Sequence, residues 1–272
     1  MRVNRLGIVG LHIITWFLLL VVAAPVLVVL AGAFLDPTLL GVTSEHWAAG
    51  ASFFVPAWFG YIFHLYGPAL QFSLLLAILS VAVCIGVSVP AAYAMVRTNT
   101  RATRILEEIT LLPLSIPGIA LSIGLIQAFI VVRGEWWLIL CGHVLYTIPF
   151  MLRVITSTLR SFDLEEMHRA AQSLGANGWQ RFFLVTMPNL RHGIIVGSLL
   201  VFAISWGEFN VSYLLNTPLH LTYPAALYAT YTSNSFAVAS AATTIFLAVI
   251  IPVLIALQWI GGREFNRLEQ AA

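Results

Sequence analysis

The sequence predicts an all-α membrane protein with six transmembrane helices, folded as a single domain over residues 1–272. Sixty per cent of its 272 residues are apolar and only 9% are charged, whereas a soluble globular domain carries roughly 25% charged residues. A mean hydropathy of +0.94 points the same way. Because this small number of charges cannot cover a water-facing surface, lipid must solvate most of the chain.

Six segments reach the length of about 20 predominantly apolar residues that a membrane-spanning helix needs. In chain order they are 7–34, 69–96, 109–132, 136–156, 193–215 and 238–260. The first follows Arg2 and Arg5, as a signal peptide would, but its apolar stretch is longer than the roughly 7–15 residues of a signal h-region. We therefore expect it to be an uncleaved anchor. The aromatic-rich residues 35–68 are expected to form an outer loop at headgroup level.

The arginines predict how these spans are oriented. The sequence contains no lysine, so all 13 basic residues are arginine. Six spans place both termini on the same side of the membrane. All the arginines except Arg133 lie on that side. Because cytoplasmic loops carry an excess of basic residues, both termini are predicted to be cytoplasmic, as in a multi-pass protein of a bacterial-type inner membrane.

The missing lysine also restricts the chemistry of the chain. A phosphate-binding P-loop and a Schiff-base enzyme both need a lysine amine. Any ATP and magnesium that this protein uses must therefore be bound by another chain, and no cofactor is expected in this one. The net charge of +2 is too small to suggest nucleic-acid binding. Cys84 and Cys141 lie in apolar runs and indicate neither a disulfide framework nor a metal site.

The long loop at 157–192 is predicted to contain two short helices. Asp163 followed by Glu166 is typical of a capping box, so a helix should begin near Leu164. It should end at Gly175, which accepts the left-handed conformation that commonly terminates a helix.

Asn177 is expected to cap the second helix of the loop, and Pro188 to end it. Its 3,4-spaced residues predict one shared face: Trp179, Phe182, Phe183 and Thr186. Two interpretations of the loop stay open on these grounds. It either lies on the inner leaflet as an interfacial helix or inserts into a groove of a cytoplasmic partner.

This loop resembles the EAA loop of binding-protein-dependent ABC importer permeases, in which E-A-A-x-x-L-G-A precedes an aromatic-containing helix and a hydrophobic-Pro pair. The residues at the corresponding positions are Arg169, Ala170, Ala171, Leu174, Gly175, Ala176, Trp179, Phe182 and Pro188. Arg169 stands where the family usually has Glu. Glu166, one turn earlier, is our hypothesis for the replacement carboxylate.

Three further stretches, 90–97, 112–118 and 146–150, are similar to the inner end of the second span and to the third and fourth spans of this family. The resemblance covers about 70–260 and is to the six-span permeases of polyamine, iron(III) and 2-aminoethylphosphonate importers. It implies a type I bundle with a coupling helix and a pore of two permease subunits, identical or different. It also implies two ATPase subunits bound at the EAA-like loops and an external solute-binding protein.

Glu208 is the only acidic residue well inside a predicted span. Ser205 and Ser212 lie three and four residues away, which predicts a shared helical face. Intramembrane acidic residues usually mark functional sites, so we expect Glu208 to line a solute pathway and to meet a cationic or amine-bearing solute. The alternative is a structural carboxylate paired with His143 or His12. The candidate pathway residues are Glu208, Ser205, Ser212, Asn210 and Tyr146.

Small residues and prolines predict the packing and the bends of the spans. Gly193 and Gly197 form a G-x-x-x-G pattern that is typical of close helix packing. Pro113, Pro117 and Pro149 are expected to kink their helices, because proline removes a backbone hydrogen bond.

These observations together predict a permease subunit of an ATP-driven importer for a small charged solute, such as a polyamine or aminophosphonate, and not an enzyme. A membrane-embedded enzyme would need paired acids, a Ser–His pair or HExxH within its spans, and none is evident. A self-contained secondary transporter would normally be longer and show repeated halves.

Overall fold

The computed structural model describes residues 5–34, 57–98, 100–233 and 236–271. These residues are helical apart from short connections and one isolated β-bridge, which confirms the all-α fold class. The α-helices are α1 (Arg5–Phe34), α2 (Ala57–Thr98), α3 (Arg101–Ile109), α4 (Leu112–Ser115), α5 (Gly118–Ala128), α6 (Trp136–Arg160), α7 (Leu164–Ser173), α8 (Gly178–Gln180), α9 (Met187–Trp206), α10 (Asn210–Leu215), α11 (Tyr223–Ser233) and α12 (Phe236–Ala271). A 3₁₀ turn covers Ile130–Val132 and a π-helical segment covers Arg181–Thr186.

Five helical stretches of the described chain are long and apolar enough to cross a membrane. They are Leu11–Phe34, Trp58–Thr98, Trp136–Arg160, Gly178–Trp206 and Phe236–Ile260. The third predicted span is instead sharply bent: Arg101–Ser115 and Gly118–Ala128 meet at an angle of 101°, as in a broken span or a re-entrant loop. Pro117 causes the break: it forces the preceding Ile116 into an extended conformation (ψ 126°).

Two predicted boundaries are wrong. Residues 57–68 were expected to belong to an outer loop, but they form the first turns of α2. Pro68 lies inside that helix, where it costs one hydrogen bond without ending the helix. The predicted span 193–215 is interrupted: α9 ends at Trp206, and α10 begins only at Asn210. The remaining part of the predicted outer loop, 35–56, lies outside the described residues.

The described chain divides into two units, 1–67 with 226–248, and 68–225 with 249–272. In the first unit, the rings of Phe34 and Phe59 lie 5.1 Å apart. The single domain over 1–272 stays a prediction.

Helices α6 and α9 pack closely against each other in the second unit. Gly193 and Gly197 are buried on α9. A Cβ atom at Gly193 would collide with the side chain of Thr158, and one at Gly197 would lie 2.5 Å from the Met151 sulfur. The predicted glycine packing face is therefore confirmed, because only hydrogen at these positions lets the two backbones approach so closely.

Candidate functional site

A sharp turn joins α7 to the next helix, and we call 163–187 the elbow. The Asp163 carboxylate accepts a hydrogen bond of 2.9 Å from the Glu166 N–H and so caps α7. Gly175 has φ +83°, the left-handed region that favours glycine. Its N–H donates to the Gln172 carbonyl at 2.9 Å. Both predicted ends of this helix are confirmed.

The second limb of the elbow begins with a capping box. The Asn177 side chain accepts from the Gln180 N–H at 2.9 Å, and the Gln180 side chain accepts from the Asn177 N–H at 2.8 Å. The prediction that Pro188 ends this limb is wrong, because the helix is continuous over Gly178–Trp206. The π-helical spacing, in which the Met187 N–H donates to the Phe182 carbonyl, accommodates the proline that follows without breaking the helix.

The aromatic residues of the second limb point in two directions. The rings of Trp179 and Phe183 stack 5.6 Å apart, and Trp179 is 72% exposed. Phe182 is half-buried with its ring 5.0 Å from that of Tyr93. The predicted single face is therefore wrong, because a π-helix has more residues per turn than the α-helix behind that prediction. The exposed apolar side chains form what we call the elbow patch: Leu174, Trp179, Phe183 and Leu184.

Arg169, the residue that departs from the EAA pattern, is paired with a carboxylate of its own helix. Its Nη2 lies 2.9 Å from an oxygen of Glu165, and both side chains are largely exposed. Glu165 is thus the carboxylate that pairs with Arg169, and the hypothesis that Glu166 replaces the usual Glu stays a prediction. Exposed pairs of this kind contribute only about 0.3–0.5 kcal/mol, so Arg169 stays available to another surface.

His168 fastens the two limbs of the elbow together, which sequence reasoning missed. The side chain is only 6% exposed, and its Nε2 lies 2.9 Å from the Thr186 hydroxyl. Burial lowers the pKa of His168 below its usual 6.5, and the positive charges of Arg181 and Arg97 lower this pKa further. The imidazole is therefore neutral at neutral pH and holds the elbow through a hydrogen bond rather than a charge.

A buried polar cluster lies among the apolar helices and is centred on His143 of α6. Its Nδ1 hydrogen-bonds to the Ser205 hydroxyl at 2.8 Å, and its Nε2 to the Ser212 hydroxyl at 2.7 Å. The Ser205 hydroxyl also donates to Ser80 of α2 at 3.3 Å. These four residues form the His143 network. It ties α6 to both sides of the break in the fifth predicted span.

Glu208 lies in that break and is 7% exposed. Its Oε1 accepts a hydrogen bond of 2.7 Å from the Val211 N–H, so the carboxylate caps α10. The predicted shared face of Glu208, Ser205 and Ser212 is wrong, because the helix stops after Ser205 and resumes beyond Glu208. Both serines hydrogen-bond to His143 instead. Of the other candidate pathway residues, Asn210 is exposed and Tyr146 is half-buried.

A family profile described as "Binding-protein-dependent transport system inner membrane component" matches residues 83–265. The match takes in the whole elbow, His143 and Glu208, and it covers more than half of the chain. This chain belongs to that family. It is an inner membrane component of the permease type, which agrees with the multi-pass fold.

Two proteins similar to this permease have names that include a solute. A protein named 2-aminoethylphosphonate transport system permease protein PhnV, from Salmonella paratyphi A, is 26% identical over 179 residues. That alignment covers 64% of this chain and 66% of PhnV, slightly less than two thirds of the relative. The molybdenum transport system permease protein ModB of Escherichia coli K12 is 31% identical over 156 residues, covering 50% of this chain and 67% of ModB.

A solved structure agrees with the permease fold over nearly its full length. A chain of a bacterial ABC transporter involved in the import of the acidic polysaccharide alginate matches with a TM-score of 0.73. The match covers 95% of this permease and 97% of that chain, at 16% identity. At this identity the likeness supports the fold alone.

Replacing His143 by alanine is expected to lower the stability of the permease. The change leaves the buried hydroxyls of Ser205 and Ser212 without a common partner, which costs roughly 1–3 kcal/mol. Thermal unfolding of the detergent-solubilised protein measures the loss. His12→Ala is the matched control, because His12 is exposed on α1. Equal unfolding temperatures for the two variants would contradict a structural role of the His143 network.

Proposed function

We propose that this chain is the pore-forming subunit of an ATP-driven importer and that the elbow couples it to separate ATPase subunits. The observation that carries the proposal is the elbow itself. It combines a capped helix, a turn fixed by Gly175 and an exposed apolar patch at the tip, where Leu174 is 89% exposed. Exposed apolar clusters of this kind mark interaction surfaces in soluble parts of proteins.

The helix that follows the elbow provides a mechanical connection into the membrane. Gly178–Trp206 is continuous over 29 residues, which at 1.5 Å per residue spans roughly 44 Å. Its far end holds Ser205, a member of the His143 network. A displacement of the elbow by a docked ATPase therefore reaches the break around Glu208. Binding of ATP and magnesium to the ATPase would then shift the pore between inward-facing and outward-facing states.

The proposed solute pathway passes the break between α9 and α10. Exposed Asn210 and half-buried Tyr146 offer polar contacts, whereas Ser205 and Ser212 act through His143. Burying the charge of Glu208 in a membrane is costly unless it serves a purpose. We propose a small charged solute that carries an amine, such as an aminophosphonate or polyamine, and the name of the relative PhnV supports this class.

The proposed assembly contains further chains. A second permease subunit, identical or different, completes the pore, and an external solute-binding protein delivers the solute. The positive-inside rule supports cytoplasmic termini. The elbow, which carries Arg169 and Arg181, would then face the ATPase.

Reconstitution tests the proposal against a self-contained secondary transporter and a membrane enzyme. The permease is purified with its co-expressed ATPase and placed in proteoliposomes with radiolabelled 2-aminoethylphosphonate or putrescine and the cognate binding protein. We expect uptake only when ATPase, ATP and magnesium are all present. Uptake at the same rate by the permease without the ATPase would contradict the proposal and favour a secondary transporter.

A further inference from the structure

A polar groove runs beside α7, between the ends of α2 and α6 and the elbow. Its volume is about 520 Å³, and we call it the elbow groove. Its lining is rich in arginine, with four such residues against two acidic ones. The groove residues that matter here are Arg97, Arg160, His168, Arg169, Gln172 and Arg181.

Two of these arginines have no carboxylate partner among the described residues. Arg160 pairs with Glu107 at 2.8 Å, and Arg169 pairs with Glu165. Arg97, by contrast, donates only a long hydrogen bond of 3.4 Å to the Tyr93 hydroxyl.

Arg181 is the second guanidinium without a carboxylate. Its Nη1 donates to the Gln172 side chain at 3.3 Å, and its Nε is buried without an acceptor. A partly buried guanidinium is costly unless an anion balances it. Arg97 and Arg181 both lie close enough to His168 to lower its pKa, and both line the elbow groove.

We propose that the elbow groove receives an acidic side chain of the ATPase subunit, which pairs with Arg97 and Arg181. This inference rests on the proposed coupling role of the elbow. Arg169 and Gln172 line the groove and are exposed on α7, so a subunit that covers this helix also covers the groove. A planar guanidinium binds a carboxylate through two parallel hydrogen bonds, which gives the contact a defined geometry.

The net charge of the groove lining, four arginines against two acidic residues, fits the same partner. The elbow patch supplies apolar contact, and the groove supplies the charged rim that selects the partner. A lipid headgroup phosphate has similar chemistry, and the experiment below separates it from a protein carboxylate.

Charge reversal in the intact complex tests the inference. The permease is co-expressed with its ATPase, purified in detergent, and ATPase retention is measured against NaCl concentration. Arg97→Glu and Arg181→Glu are expected to lower retention by about tenfold or more, since like charges then face each other. Arg101→Glu is the matched control, because this exposed arginine begins α3 outside the groove. Arg181→Lys keeps the charge but not the paired hydrogen bonds, so its retention should fall less than that of Arg181→Glu.

A compensating change provides the decisive result. Single Asp or Glu residues on the ATPase surface are replaced by Arg, and one such change is expected to restore binding to Arg181→Glu. If both Glu variants retain as much ATPase as Arg101→Glu does, this inference is overturned and the proposed function still stands. Loss of retention in Arg181→Lys equal to that in Arg181→Glu also overturns it, because the side chain is then only structural.

Two further outcomes are distinguishable. Mass spectrometry of co-purified phospholipid detects a lipid site in the groove. If the Glu variants lose anionic lipid but keep the ATPase, the groove binds a lipid headgroup, and the proposed pairing with an ATPase carboxylate is overturned. If the unaltered permease never retains the ATPase, the proposed function fails and the inference fails with it.

Discussion

Replacing Gly175 by valine is expected to abolish ATP-driven uptake. Gly175 has φ +83°, a conformation that costs an ordinary residue about 1–2 kcal/mol and a β-branched residue more. A Cβ atom there would meet nothing within 4 Å, so the penalty comes from the backbone and not from a collision. The turn would relax towards a right-handed conformation, and α7 would change direction relative to the second limb.

Two controls isolate that cause. Gly178→Ala should leave uptake unchanged, because Gly178 has an ordinary φ and open space around its Cβ position. Gly175→Asn should keep part of the uptake, since asparagine tolerates the left-handed region better than valine does. ATPase retention and uptake are measured in parallel for all three variants. Wild-type uptake by Gly175→Val would remove the elbow from the coupling mechanism.

The elbow was predictable because its determinants are local. Asp163, Gly175 and Asn177 each act within three or four residues of their own position, through a side-chain cap or a backbone conformation. Such signals are present in the sequence whatever the rest of the fold does. The direction of the limb after Gln180 was not predictable, because Pro188 reads as a helix end unless a π-helical segment precedes it.

The break in the fifth predicted span had no comparably clear local signal. Residues 193–215 are apolar enough to be predicted as one span even with Glu208 inside it, and Gly207 at the break is of a residue type that is common in membrane helices. The break is stabilised by partners distant in the chain: Ser205 and Ser212 meet His143, which precedes them by 62 and 69 positions. Pairings of this kind depend on how α6 packs against α9, which no short window of sequence contains.

Replacing Glu208 by glutamine is expected to lower uptake by about tenfold or more while leaving the fold intact. Glutamine keeps an oxygen that accepts the Val211 N–H, so the cap on α10 is retained. The negative charge is lost, and with it the proposed attraction for an amine-bearing solute. Glu208→Ala removes the cap as well, which costs about 1 kcal/mol, and should also lower the unfolding temperature.

The comparison of these variants separates the two roles of Glu208. If its charge serves transport, the glutamine and alanine variants lose uptake alike and differ only in stability. If it serves only as a cap, Glu208→Gln transports like the unaltered protein with the same solute preference, and only Glu208→Ala is impaired. Glu135→Gln is the matched control, because Glu135 is exposed just before α6 and its side chain makes no capping hydrogen bond. An acidic residue buried inside a membrane-spanning region is more often functional than structural, which is the reason to expect the first result.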